Sequence, residues 1–194
     1  MGRWEPNARG RLEQAAMELY GERGYEQTTV AEIANRAGLT ERTFFRHFAD
    51  KREVLFWGGG ALQELLVSSV ADAPESTAPI DAVAAAFEGA GARLQERREH
   101  SRQRQAIITA NAELRERELI KLASFASALA DALRRRGVAD TAASLAAEVG
   151  IAVFRVAFER WIDTGQPDFP QLIRESFDEL KVVTGHGRRR DLDR

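Results

Sequence analysis

Between Thr40 and Phe48 the chain reads TERTFFRHF, which sets Arg42 and Arg46 four residues apart among three phenylalanines, two threonines and His47. Guanidinium groups at that spacing suit the gripping of anions. Each carries a planar fork of N–H donors that matches a phosphate or the O6 and N7 edge of guanine. Threonine adds a hydroxyl for phosphate and a methyl for contact with thymine. The bland alternative is a solvated helix face whose charges do nothing specific.

Covalent chemistry finds little support elsewhere. The absence of cysteine removes disulfides, thiolate nucleophiles and the common structural zinc sites together. The three histidines, His47, His100 and His186, lack metal-ligand spacing, no HExxH occurs, and no Ser, His and acid set can be assembled. We therefore expect no enzyme, no metal and no cofactor. The formal net charge of -2 does not advertise a polyanion partner, so any basic surface must be local. From Arg36 to Arg52 it is: Arg36, Arg42, Arg46, Lys51 and Arg52 face only Glu41 and Asp50. No run of eighteen apolar residues and no signal-peptide core is found, so the expectation is a cytoplasmic protein with no membrane span.

Such a surface needs a scaffold, and its pattern is helical. At about 100° per residue, with Phe44 at the origin, Phe48 falls about 40° away while Arg42 and Arg46 fall at about 160° and 200°. Thr43 and His47 lie at about 260° and 300°, and Phe45 at about 100°. Phe44 and Phe48 can thus anchor the helix on Ile33, Ala34 and Leu39 while the arginines face outward. Upstream, Leu12, Ala15, Ala16, Leu19 and Tyr20 mark a first helix that stops at Gly24. Thr29 and Glu32 form a capping box for a second, Gly38 bends the chain, and Thr40 caps the third. Asp50 with Glu53 starts a fourth helix, expected to run through VLFWGGGALQELL to about Ala71.

The prolines of DAPESTAP break the pattern. Longer helices follow at roughly Ile80 to Arg98, His100 to Ala110, Ala112 to Arg136 and Asp140 to Thr164, then Asp168 to Val183, with Gly137, Gly165 and Gly185 near their ends. The expected fold is all-α, with about nine helices. Gly58, Gly59 and Gly60 inside the fourth cost about 1 kcal/mol each relative to alanine. They lack the strand and the Gly-Lys-Ser/Thr ending of a phosphate loop, which leaves close helix packing or a soft point.

The run AAMELYGERGYEQTTVAEIANRAGLTERTFFRHFADKREVL, residues 15 to 55, resembles the DNA-binding domain of the tetracycline-repressor (TetR) family of bacterial transcriptional regulators. The resemblance implies a helix-turn-helix domain over residues 1–52 and a helical bundle for ligand binding and dimerisation over 53–185, and the basic run at the end reads as a flexible tail over 186–194. It implies a double-stranded DNA operator, a homodimer, and a small-molecule effector that releases the DNA. Carried onto this chain, it makes Thr29 a cap and phosphate contact, and Arg42, Thr43 and Arg46 the base or groove contacts. Thr40 flanks them, and His47 and Lys51 hold the backbone. The family commonly has tyrosine where this chain has Phe45, and glycine where it has Arg42, so an operator sequence cannot be borrowed.

In the second domain Leu145, Val149, Ala152 and Val156 form one stripe on the eighth expected helix, and Phe169, Leu172, Ile173, Phe177 and Leu180 form the single stripe of the ninth. The resemblance pairs these two helices with their copies; the alternative is a monomeric bundle. Phe87, Leu94, Ile107, Ile108, Phe125, Leu129, Phe158 and Trp161 are the candidate effector walls, although the same pattern suits an ordinary core. Arg155 either meets an acidic ligand or pairs with Glu159 one turn on. A ligand-independent DNA-binding regulator, or a helical enzyme, are the alternative functions.

Overall fold

The computed structural model describes residues 7–164 and 168–185. The expected end at Gly165 and the basic tail from His186 lie outside the described residues. Within the described residues ten helices run in order: α1 (Ala8–Arg23), α2 (Val30–Arg36), α3 (Glu41–His47), α4 (Glu53–Phe56), α5 (Gly59–Ala71), α6 (Pro79–Gln95), α7 (Arg98–Ala110), α8 (Ala112–Arg135), α9 (Asp140–Thr164) and α10 (Phe169–Val183). The all-α expectation holds. The count rises because the expected fourth helix is interrupted at Trp57 and Gly58, giving α4 and α5.

The chain falls into two compact units. The first joins the N-terminal segment through Gly60 to Arg102–Leu119, and the second joins Ala61–Ser101 to the segment from Ile120 onward. This differs from a division after Arg52. Glu53–Phe56 and a returning segment made from the end of α7 and the start of α8 belong with the head. Val54, Leu55, Phe56, Ile107, Ile108 and Leu114 share a core with Leu12, Leu19, Ile33 and Phe44. Polar bonds reinforce it. Gln103 donates to the Met17 carbonyl, Arg104 to the Leu55 carbonyl and to Glu118, and Arg52 and Arg117 pair with Glu113 and Glu53.

The second unit packs α6, α9 and α10 against one another around Phe87, Leu129, Leu133, Trp161, Phe169 and Ile173. Two stretches, Glu53–Ala71 and Asp140–Asp163, are long and apolar enough to cross a bilayer by length and composition. The first contains the break between α4 and α5, and the second sends Ile151, Val153, Ala157, Trp161 and Ile162 into this core.

Candidate nucleic-acid interface

The helix-turn-helix is assembled from local signals that the chain spells out. Thr29 caps α2, with its side chain accepting from Glu32 N and Glu32 accepting in return from Thr29 N. Thr40 caps α3 by accepting from Thr43 N at 3.2 Å. Between the two helices Gly38 takes φ +65°, and a Cβ there would stand 2.9 Å from an Arg11 guanidinium nitrogen. Glycine is needed for the backbone sign, and a side chain there would also displace the end of Arg11. Arg11 uses that space to donate to the Ala37 and Gly38 carbonyls. No local pattern announces this contact, because it spans 26 residues of chain.

α3 divides as the wheel requires. Phe44 is 0% exposed and Phe48 3%, with ring centroids 5.5 Å apart, while Arg42 and Arg46 are exposed one turn from each other. Phe45 is 55% exposed and meets the Phe44 ring edge-on. Thr43 is half-buried, its hydroxyl 3.1 Å from that of Thr40. Among the described residues neither Arg42 nor Arg46 makes an ion pair, which leaves both guanidinium forks available to a ligand.

The other three cations of the basic stretch are occupied. Arg36 pairs with Glu18 and Glu22, and Arg52 with Asp50 and Glu113. The Arg36 side chain holds the Glu22 carboxyl below its usual range, and Arg52 does the same for Asp50. The Lys51 ammonium donates to the carbonyls of Tyr25, Glu26 and Thr28. An ammonium has three N–H donors, so these bonds use its full capacity. His47 follows Arg46 at the end of α3. Its Nε2 is buried with no hydrogen-bond partner among the described residues, and burial, then Arg46 and Arg9, push its protonation below the usual histidine range. Thr29 remains exposed, with its hydroxyl engaged by Glu32.

Two family models match the chain. One, described as bacterial regulatory proteins of the tetR family, matches residues 13–56; the other, described as the MftR C-terminal domain, matches residues 77–184. The chain belongs to the TetR family. The transcriptional regulator TcmR of Streptomyces glaucescens is 39% identical over 79 residues, which are 41% of this chain and 35% of TcmR. The match thus spans about a third of that relative's length. SmeT, repressor of a Stenotrophomonas maltophilia efflux pump, aligns in a complex with triclosan at TM-score 0.66 and 21% identity, covering 91% of this chain and 90% of SmeT. FadR of Bacillus subtilis, in complex with stearoyl-CoA, aligns at TM-score 0.63 and 19% identity, covering 88% of this chain and 96% of FadR. At these identities the two structures speak to the fold.

In the second unit of this TetR-family chain the candidate effector residues separate. Phe87, Leu94, Phe125, Leu129, Phe158 and Trp161 share one apolar cluster. Ile107 and Ile108 do not join it; they sit in the core of the first unit, where Ile107 lines a half-open recess of about 250 Å³ with Tyr20, Arg23, Tyr25 and Asn111. Arg155 is exposed on α9, turned away from the cluster. The stripes part as well. Leu145 is 61% and Val156 53% exposed, Ala152 is exposed and Val149 half-buried. By contrast Phe169, Leu172, Ile173 and Phe177 on α10 are buried in the chain's own core, with Leu180 packed at its edge. That stripe is spent on α6 and α9.

Proposed function

We propose that this chain is a sequence-specific DNA-binding regulator of transcription, a cytoplasmic homodimer that represses from an operator and leaves it when a small molecule binds the second unit. One observation carries the reading: Arg42 and Arg46 stand exposed and unpaired, among the described residues, on a helix whose opposite side is locked down by Phe44 and Phe48. An anchored helix with two aligned guanidinium forks suits a major groove, where each fork can take a guanine edge. Thr43 lies beside them for a thymine methyl or a phosphate.

The outer face of α9 supports the homodimer. Leu145, Val149, Ala152 and Val156 form an apolar strip bordered by Glu148, Arg155 and Glu159, and a second copy would cover it. Two heads related by a twofold axis would then read paired half-sites about one helical turn of DNA apart or more. For the effector, Phe87 stacks on Phe154 at 4.9 Å and Trp161 on Phe169 at 4.4 Å, while the buried Trp161 Nε1 has no acceptor among the described residues. A ligand that offers one hydrogen-bond acceptor would answer the unpartnered indole N–H beside these rings.

The test is a competition gel shift at stated salt, with labelled duplex from upstream of the chain's own gene. We expect unlabelled upstream DNA to displace the complex well before a shuffled duplex does. Equal displacement by the two competitors would contradict the reading.

A further inference from the structure

Lys51 lies in the turn between α3 and α4, four residues past the end of the proposed reading helix. A lysine beside such a helix invites assignment to a DNA phosphate. Its surroundings say otherwise. Nζ is 2.9 Å from the Tyr25 carbonyl oxygen, 3.0 Å from that of Thr28 and 3.4 Å from that of Glu26, and it sits 4.3 Å from the centroid of the Tyr25 ring. The three N–H bonds and the ring face together take up the charge. To donate to a phosphate the ammonium would have to give up at least one of these N–H bonds.

The backbone of the same residue is held from the other side. The Lys51 carbonyl accepts from the Tyr20 hydroxyl at 2.7 Å. Burial pushes Tyr20 ionisation far above the usual phenol range, so that hydroxyl stays a donor. Residue 51 is therefore tied to α1 through its carbonyl and to the α1–α2 turn through its ammonium. Three residues earlier, the Phe48 ring is buried in the head core. Together these bonds pin the segment that leaves α3, and with it the direction in which Arg42 and Arg46 project.

We propose that Lys51 is a positioning residue for DNA recognition: it sets α3 by tying the α3–α4 turn to the α1–α2 turn, and it touches no phosphate itself. The proposal rests on the DNA-binding reading above. It separates two roles that a single loss of binding would confuse. A phosphate contact releases counterions, so its loss flattens the dependence of binding on salt by about 0.9 in log–log slope. A positioning residue weakens binding at every salt concentration with the slope unchanged.

The experiment is fluorescence anisotropy with labelled upstream duplex over a series of KCl concentrations, using the full chain and four variants: Lys51→Met, Lys51→Arg, Tyr20→Phe and Arg46→Ala. Stoichiometric titration fixes the active fraction of each. Lys51→Met is expected to weaken binding about tenfold across the series with the wild-type slope. Lys51→Arg, which keeps the charge within reach of a phosphate, should fail to restore affinity because a planar fork cannot aim three N–H groups at three converging carbonyls. Tyr20→Phe alters no charge and should also weaken binding at constant slope, which keeps the idea testable if Lys51→Met does not fold. A shallower slope for Lys51→Met, full recovery by Lys51→Arg, unchanged affinity of Tyr20→Phe, or a loss confined to the active fraction would each overturn the proposal. Failure of the DNA-binding reading looks different: the wild type would show no preference for upstream DNA, and Arg46→Ala would change nothing.

Discussion

Phe44 and Phe45 adjoin in the chain and differ in almost everything else. Phe44 is fully buried, so its truncation removes packing from the point where α3 meets α1 and α2. We expect Phe44→Ala to cost about 3–5 kcal/mol in urea unfolding, and Phe45→Ala to stay within about 0.5 kcal/mol. Comparable losses for the two would contradict the assignment of anchor and surface. This division is legible in the amino-acid pattern because it depends only on helical period. The fates of Lys51, Arg36 and Arg11 are not. Their partners lie 14 to 27 residues away, and nothing in a charge says whether it will meet solvent, a carboxylate or a row of carbonyls.

Helix starts and stops are the more readable part of the elements. Thr29 with Glu32, Thr40, and the positive φ at Gly24, Gly137 and Gly185 follow from capping chemistry that acts within a few residues. The interruption between α4 and α5 shows where such reading fails. Three glycines lower helix propensity, but whether the helix survives them depends on packing. Here a Cβ at Gly58 or Gly60 would meet nothing within 4 Å, so close helix packing does not account for these two, which favours the soft point. Gly150 is the contrast, since a Cβ there would come within 2.3 Å of Val83 Cγ1. Replacing Gly58, Gly59 and Gly60 with alanine should raise helicity by circular dichroism and change the effector concentration needed for DNA release more than the DNA affinity. An unaltered effector response would remove the glycines from the coupling. The stripes of α9 and α10 teach a related lesson: periodicity marks a face as apolar without saying whether the chain or a second copy covers it.

At the scale of the molecule, the head is built from two separated pieces of chain, and no composition shift marks Arg102–Leu119 as part of it. That is why Ile107 and Ile108 pass for effector walls on pattern alone. The exposed strip on α9 sets the expectation for assembly: Leu145→Glu with Val156→Glu should convert the proposed dimer to a monomer in sedimentation velocity with the fold retained. A chain that sediments as a monomer before substitution would contradict the proposed homodimer, and a dimer that survives substitution would place its interface elsewhere. The reading face itself is tested most directly by the Arg42→Ala, Arg46→Ala double variant in anisotropy titrations against upstream and shuffled duplexes at one fixed salt concentration. Preference for the upstream duplex is expected to collapse, by about 1–3 kcal/mol for each base no longer read, while circular dichroism stays that of the wild type. A double variant that keeps the full preference would show that α3 does not read the operator.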